Sequence, residues 1–406
     1  MERCLNVIMW FSTVEMITDT CEDVCLFEIM CVGSIIIKMK VLQIVRSMNI
    51  GGLENYVRKL ILYANNENQC DCLICEEKNS DYEEDLKIVG IKIHHISSPD
   101  RLKIELYKNV YCFLKEHPEY DVVHCHMAGS NGVLAKAAKD AGVKKVVCHS
   151  HGVSLKEKPS AADRAYSAMM KHLMQKNGDV FLACSAAAGR YLYGEEFFDR
   201  CGKVIPNGIE LEKFSFSKDH RKQCRQELDI KENEFVIGHT GSLNGVKNQE
   251  LLLRIAAELK TSRTDVKVIL VGDGDNKKNL LSQVQKDGIS TNVRFVGKQR
   301  EIEKYLSAMD VFVFPSTSEG FGISLLEAEA NGLPCVVSER IQPEVKALKN
   351  IRTVSLEEPT PKWVEAVMEM RKAGRNENAL GELTAAGMSE TACYQSVCNV
   401  YKEIVE

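Results

Sequence analysis

The run from Asp310 to Val337, DVFVFPSTSEGFGISLLEAEANGLPCVV, restricts the possible folds more than any other stretch of the chain. Val311 to Phe314 is a short unbroken apolar segment, the pattern of a parallel strand covered on both faces. Ser316 to Ser318 are loop residues. Gly320 and Gly322 let the backbone bend and come close to a ligand. Ser324 to Ala330 are good helix formers, Gly332 suits the position just past the helix end, and Pro334 blocks continuation. A second apolar run closes a strand–loop–helix–turn–strand unit. Glu319 lies in the loop and Glu327 in the helix. The loop can fold both around one ligand at the helix start, where free N–H groups and the positive end of the dipole attract phosphate. The plain alternative is one surface glutamate and one glutamate capping the helix.

The same alternation of strand and helix runs from Met39 onward and argues for an α/β architecture with parallel strands. Val41–Val45 reads as the first strand, and a helix is expected from about Glu54 to Tyr63. Between them, Gly51 and Gly52 stand where a phosphate or sugar can approach backbone N–H groups; a plain tight turn fits equally well. The pair is not G-x-G-x-x-G, so the dinucleotide fingerprint of a nicotinamide dehydrogenase is absent. Strands are expected near Cys70–Cys75 and Lys92–Ile96, then a helix around Ile104–Glu116. Asp121-Val-Val-His124-Cys-His126 places two histidines at a strand end, where open parallel sheets bind ligands. His124 reads as a histidine hydrogen-bonded to a loop carbonyl. His126, further out, reads as functional, since a neutral imidazole can donate to phosphate or to a developing charge. The strand Val143–His149 runs into Ser150-His151-Gly152, close to the same edge. Strand Val180–Cys184 and helix Ser185–Tyr193 complete the first half.

Lys203-Val-Ile-Pro-Asn-Gly208 reads as a rigid bend, and the polar run Ser215–Glu234 as a domain margin. The pattern then restarts with the strand Phe235–Thr240. It leads through Gly241, Ser242 and Lys247 into a helix whose Leu251, Leu252, Ile255 and Leu259 mark a buried stripe. Lys247 at the helix entrance is placed to meet a diphosphate as a mobile point charge. Val266–Val271 ends in Gly272-Asp273-Gly-Asp275. A D-x-D can hold a metal-bound nucleotide sugar, but a Gly/Asp turn after a strand is the preferred reading. Arg294–Gly297 is a further short strand, and the C-terminal region reads as helical, ending in Tyr394–Ile404.

These motifs resemble those of a known family. Glu319-Gly-Phe-Gly-Ile-Ser-Leu-Leu-Glu327 is similar to the E-x7-E motif of the GT4 retaining glycosyltransferases, and Gly332-Leu-Pro334 resembles the turn after that motif in the family. D-x-x-H-x-H at Asp121–His126 and the H-x-H-G at His149–Gly152 are also similar, the latter to capsule and exopolysaccharide transferases. The resemblance spans about residue 39 to the end. It implies a GT-B fold, two Rossmann-like domains with parallel sheets facing a central cleft. Residues 39–205 would take the acceptor and 206–385 the nucleotide sugar, with 386–406 crossing back. It further implies a retaining transfer from a nucleotide sugar, a UDP-sugar for preference, to a glycan or lipid-linked acceptor. Glu327 would accept hydrogen bonds from ribose hydroxyls. Glu319 would hold the transferred sugar, with His126 near it. N–H groups of Phe321, Gly322, Ile323 and Ser324 would bind sugar and phosphate. Lys247 would stabilise the leaving diphosphate, so no metal or other cofactor is expected. Gly51, Gly52, Gly241 and Ser242 would stand near the donor phosphates, Val296 near the nucleobase and His151 on the acceptor side. One departure is visible: the family shows G-R-L-x-x-x-K, and Ser242 replaces the arginine. One cationic contact is therefore lost or supplied from elsewhere. Two other readings remain: a different GT-B activity such as sugar-nucleotide epimerisation, and a non-catalytic nucleotide-sugar-binding protein.

Composition narrows the rest. A chain of 406 residues with 45% hydrophobic content is ample for two cores, and a net charge of −5 argues against nucleic acid as a partner. No apolar run approaches the roughly 20 residues needed to span a bilayer. The sixteen cysteines sit mainly in strand-like or helix-like runs, which favours reduced, buried thiols in a cytoplasmic protein. Cys70-Asp-Cys72-Leu-Ile-Cys75 lacks the second half of a metal site. Residues 1–38 fit poorly with the regular pattern that begins at Met39; either translation starts later, or they form a loosely attached extension with no part in the chemistry. The basic stretch Lys156–Lys176, with Lys158, Arg164 and Lys171, can lie on the inner face of an anionic membrane or pack as a surface helix.

Overall fold

The computed structural model describes residues 38–98, 103–153, 160–262 and 265–405. The extension before residue 38, and Lys156 and Lys158 of the basic stretch, lie outside them. Among the described residues, thirteen strands form two sheets. The first holds β1 (Lys40–Val45), β2 (Gln69–Ile74), β3 (Ile93–His95), β4 (Val122–Cys125), β5 (Lys145–Ser150), β6 (Val180–Ala183) and β7 (Gly202–Val204). The second holds β8 (Phe235–Thr240), β9 (Val266–Val271), β10 (Val293–Gly297), β11 (Val311–Phe314), β12 (Cys335–Ser338) and β13 (Ile351–Val354). Every pairing between these strands is parallel, apart from an isolated antiparallel bridge between Gly272 and Gly297. The orders are β3-β2-β1-β4-β5-β6-β7 and β10-β9-β8-β11-β12-β13. Each sheet is therefore doubly wound, reversing direction between its first and fourth strands, as the α/β reading required.

The unbroken apolar runs behave as expected. β4, β8, β11 and β12 are buried at every residue, because helices cover both faces of the sheets. Two strands escaped the sequence reading. β7 is three residues long, and β13 carries Arg352 and Thr353 exposed, so neither shows a continuous apolar pattern.

The motif stretch is anchored at its entry by charge. Asp310 accepts from Arg221 and Arg225, each at 2.9 Å, and from the Val236 N–H at 2.8 Å. Arg225 is 2% exposed, and its remaining donors reach the carbonyls of Ala308, Lys231, Glu232 and Glu234. A buried guanidinium is tolerable only when its donors are satisfied in this way.

The chain passes between the sheets twice, and the two passages lie side by side. Ile209 bridges Ser389, with Ile209 N–H on the Met388 carbonyl and Glu390 N–H on the Ile209 carbonyl. A Cβ at Gly208 would stand 2.2 Å from the Ser389 carbonyl oxygen, so this approach requires glycine. Beyond the first passage, the turn Leu211–Phe214 packs on helices Ile302–Ala308 and Ile323–Ala330 of the second lobe. Beyond the second, helix Glu390–Val405 returns to pack on helix Gly52–Ala64 of the first. Lys59 on that helix binds Glu210 from one passage and Glu390 from the other.

Candidate active site

Both sheets present their loops to the site at the point of reversal. In the second lobe, β8 runs into Gly241–Lys247 and β11 into Glu319–Gly322, the position where doubly wound sheets bind ligands. Lys247 Nζ lies 2.7 Å from Glu319 Oε1, with the two side chains 18% and 11% exposed. The same ammonium sits 5.0 Å above the Phe314 ring at the end of β11. Gly241 has φ +146, a conformation that favours glycine, and lies within ordinary contact distance of His239 and the Lys247 stem. Asn248, at φ 51, donates to the Pro315 carbonyl at 3.2 Å and ties the two loops together. Asparagine is among the few residues that adopt this conformation readily.

Helix Ile323–Ala330 begins at Gly322, in the left-handed region with φ 105, and has no side-chain cap. Its first N–H groups are thus left for a ligand. The Phe321 side chain is buried and belongs to the core, so only its backbone can serve the site. Ile323 and Ser324 are partly exposed. One turn further on, the Glu327 side chain makes no hydrogen bond to the described residues, while its backbone carbonyl accepts from the Asn331 N–H. Burial pushes its carboxyl up to about 7; Lys213 and Lys247 pull it down and Glu303 pushes it up. Glu329, missed in the sequence, is fully buried. Its Oε1 accepts from the Ala347 and Leu348 N–H groups, and burial pushes the carboxyl up to about 8. It joins the helix to the segment beneath and does not face the ligand side. Ser242 is exposed, and Val296 is partly exposed on β10.

In the first lobe, Gly51 precedes helix Gly52–Ala64, which also lacks a side-chain cap. Gly51 has an ordinary extended backbone, and nothing stands near a Cβ at Gly52. His126 is 2% exposed, with both ring nitrogens engaged: Nδ1 with His151 Nε2 and Nε2 with Gln43 Oε1, each at 2.8 Å. The sequence reading placed it further out than it lies. His151 is the histidine at the edge, partly exposed, and its backbone packs on the second lobe. His124 bonds the Tyr401 hydroxyl at 2.6 Å, not the loop carbonyl expected.

The lobes touch beside the Glu319 loop. A Cβ at Gly320 would stand 2.5 Å from Gly152 Cα and 2.9 Å from the His151 carbonyl oxygen. The Ser185 hydroxyl donates to the Gly320 carbonyl at 2.5 Å, and Glu344 Oε1 accepts the Ala186 N–H at 2.7 Å. Sequence reasoning had no signal for these partners, since they are 135 and 158 residues apart.

His124, His126 and His149 offer nitrogens within 4.8 Å of one another. The His124 and His149 rings are stacked with planes 2° apart, so their lone pairs do not converge on one point. No carboxylate among the described residues joins the group, and His126 is already satisfied. Cys70, Cys72 and Cys75 are buried, with the Cys72 thiol pushed well up and the Cys75 thiol pushed to about 12 by burial.

Paired doubly wound lobes with their loops meeting at one edge are the architecture of the GT-B glycosyltransferases. HepE from Anabaena, solved in complex with UDP, has this fold: TM-score 0.74 at 20% identity, covering 90% of this chain and 100% of that one. Residues 50–213 match the model of Glycosyltransferase Family 4, and residues 220–387 match glycosyl transferases group 1. EpsF of Bacillus subtilis (strain 168), assigned as a glycosyltransferase, is 31% identical over 368 residues, covering 89% of this chain and 96% of EpsF. CapH of Staphylococcus aureus, a capsular polysaccharide biosynthesis glycosyltransferase, is 26% identical over 340 residues, covering 82% of this chain and 90% of CapH. The chain belongs to the group 1 glycosyltransferases of Family 4.

The two raised carboxyls make a stability prediction. In the folded state Glu327 and Glu329 keep their protons to about 7 and 8, whereas unfolded they release them near 4.5. The folded state binds more protons across that window, so stability falls as pH rises through it, by a few kcal/mol. Urea unfolding from pH 5 to 8 should show this decline, and Glu329→Gln, which keeps the acceptor without the titration, should leave only the smaller part that Glu327 contributes below about pH 7. A rise in stability over the same window would contradict the assignment.

Proposed function

We propose that the protein is a retaining hexosyltransferase that moves a sugar from a UDP-sugar to a glycan or lipid-linked acceptor in surface polysaccharide synthesis. The carrying observation is the Lys247–Glu319 pair beside an unengaged Glu327, all at the mouth of an uncapped helix. The names of EpsF and CapH, and the UDP and UDP-glucose complexes of HepE, support the same reading.

In this reading Glu327 accepts from the ribose hydroxyls, a role that suits a carboxylate with no protein partner. The N–H groups of Phe321 to Ser324 and the helix dipole meet sugar and phosphate. Lys247, already in contact with Glu319, follows the diphosphate as it takes up negative charge. Glu319 holds the transferred sugar near its anomeric carbon. Gly241 and Ser242 line the phosphate side, Val296 the nucleobase, and Gly51 and Gly52 the facing lobe. Lys213, the first of the charges acting on Glu327, is a candidate for the cation that Ser242 does not supply. The acceptor enters past His151 and attacks from the face the diphosphate leaves. The departing phosphate takes the acceptor proton, so neither a protein nucleophile nor a metal is required.

Membrane contact rests on a different element. Helix Ala161–Asn177 exposes Tyr166 and Met169, 38% and 52%, beside exposed Arg164 and Lys176. Only Met170 and Met174 are buried on it. Such a face can lie against anionic lipid. Among the described residues no helix is long and apolar enough to cross a membrane.

Two experiments test these statements. UDP release from a panel of UDP-sugars, with and without membrane extract as acceptor source, should be acceptor-dependent and unaffected by EDTA. Lys247→Ala and Glu319→Ala should each lower it about a hundredfold. Wild-type rates in both variants, or loss of activity in EDTA, would overturn the mechanism. Separately, Tyr166→Ser with Met169→Ser should weaken sedimentation with phosphatidylglycerol vesicles; equal sedimentation would remove the membrane proposal.

A further inference from the structure

Beneath His151 runs a chain of buried side chains that the donor site does not use. His151 Nε2 meets His126 Nδ1 at 2.8 Å, and His126 Nε2 meets Gln43 Oε1 at 2.8 Å. Gln43 Nε2 donates to the Tyr401 hydroxyl oxygen at 2.9 Å, and that hydroxyl meets His124 Nδ1 at 2.6 Å. Gln43, Tyr401 and His124 are fully buried and His126 nearly so. Tyr401 lies on the C-terminal helix, 358 residues from Gln43, and reaches this site only because that helix returns to the first lobe.

Each bond fixes the direction of the next. A separation of 2.6 Å suits an O–H donor, whose bonds are shorter than those of N–H donors. Tyr401 therefore donates to His124 Nδ1, and its oxygen is left to accept from the Gln43 amide nitrogen. Gln43 must then present its oxygen to His126, so His126 carries its proton on Nε2. Burial holds His124, His126 and His149 well below their ordinary range and pushes His151 down to about 3. All four rings are neutral, so each carries one proton. His126 Nδ1 is then a lone pair and can only accept from His151 Nε2. The remaining nitrogen of His151, Nδ1, has no partner among the described residues.

We infer that Tyr401 is a positioning residue which, through Gln43 and His126, holds His151 in the tautomer that presents an unprotonated Nδ1 at the edge where the lobes meet. Resting on the transfer reading above, this makes His151 the acceptor of a hydrogen bond from the incoming hydroxyl. It aims an oxygen lone pair at the sugar carbon. A ring this hard to protonate orients the hydroxyl, and the proton itself is left to the departing phosphate. The role read from the sequence for His126 thereby passes to His151, with His126 as the link behind it.

The test reads the tautomer directly, with no donor or acceptor added, so it does not depend on whether sugar transfer is the right reaction. The full chain labelled with ¹⁵N-histidine is studied by long-range ¹H–¹⁵N correlation, and His151→Asn identifies the His151 signals by their loss. The wild type should show His151 protonated at Nε2 alone. Tyr401→Phe, which keeps the ring and removes the hydroxyl, should show both tautomers at His151, because the Gln43 amide is then free to turn. Gln43→Leu breaks the chain at another link and should give the same mixture. Protonation at Nδ1 in the wild type overturns the inference, with no variant needed. His151 signals unchanged in either variant overturn the role of that link.

Discussion

The second lobe is organised around a single charge problem. Lys247 holds an ammonium 18% exposed, against one carboxylate and one aromatic face. A second carboxylate, Glu327, is near enough to feel that charge but makes no bond to it. The helix mouth between them has no side-chain cap. A partly buried arrangement of this kind is not optimised for stability, since an unpaired carboxyl and open N–H groups both cost free energy when water is excluded. In the function proposed above, the ribose hydroxyls and the diphosphate of the donor complete the carboxyl and the N–H groups together. The unpaired carboxyl and the open N–H groups are held in place by a well-satisfied neighbour, Asp310, at the entry to β11.

The second constraint is how closely the lobes approach. Gly320 and Gly152 meet with no room for a Cβ, and Ser185 and Glu344 bond across the same line. These contacts bring the backbone of His151 against the residue directly after Glu319. His151 and Glu319 are thus brought together by backbone packing, and the paired passages at Ile209 and Ser389 carry the chain between the lobes. The Tyr401 chain adds a second tie, because the returning C-terminal helix also reaches into the histidine cluster.

Much of this was legible in the sequence because it is local. Apolar runs such as Val311–Phe314 declare buried parallel strands, and the helix formers Ser324 to Ala330 after the bend at Gly320 and Gly322 placed the helix start to within one residue. The spacing of Glu319 and Glu327 around that start carried the functional reading. What sequence could not give were pairings across the fold. Lys247 and Glu319 are 72 residues apart, and nothing local says which carboxylate the lysine chooses. His126 looked outermost because it comes after His124 in the strand direction, yet tertiary packing buries it and leaves His151 at the edge. One signal was overlooked: Gln43 is an amide within the buried strand KVLQIV, and a polar group there must find partners. The strand β13 was missed because Arg352 and Thr353 break its apolar pattern.

The central claim, that Glu327 is left unpaired in order to bind the ribose, is tested most directly by calorimetric titration of UDP-glucose across pH. The diphosphate of this probe has no group titrating near neutrality, so the protein carboxyl is read alone. With ionisation centred at about 7, affinity should rise about tenfold from pH 6 to pH 8 in EDTA, and Glu327→Gln should bind weakly with no pH dependence. A pH-independent affinity in the wild type, or equal binding by the variant, would contradict it.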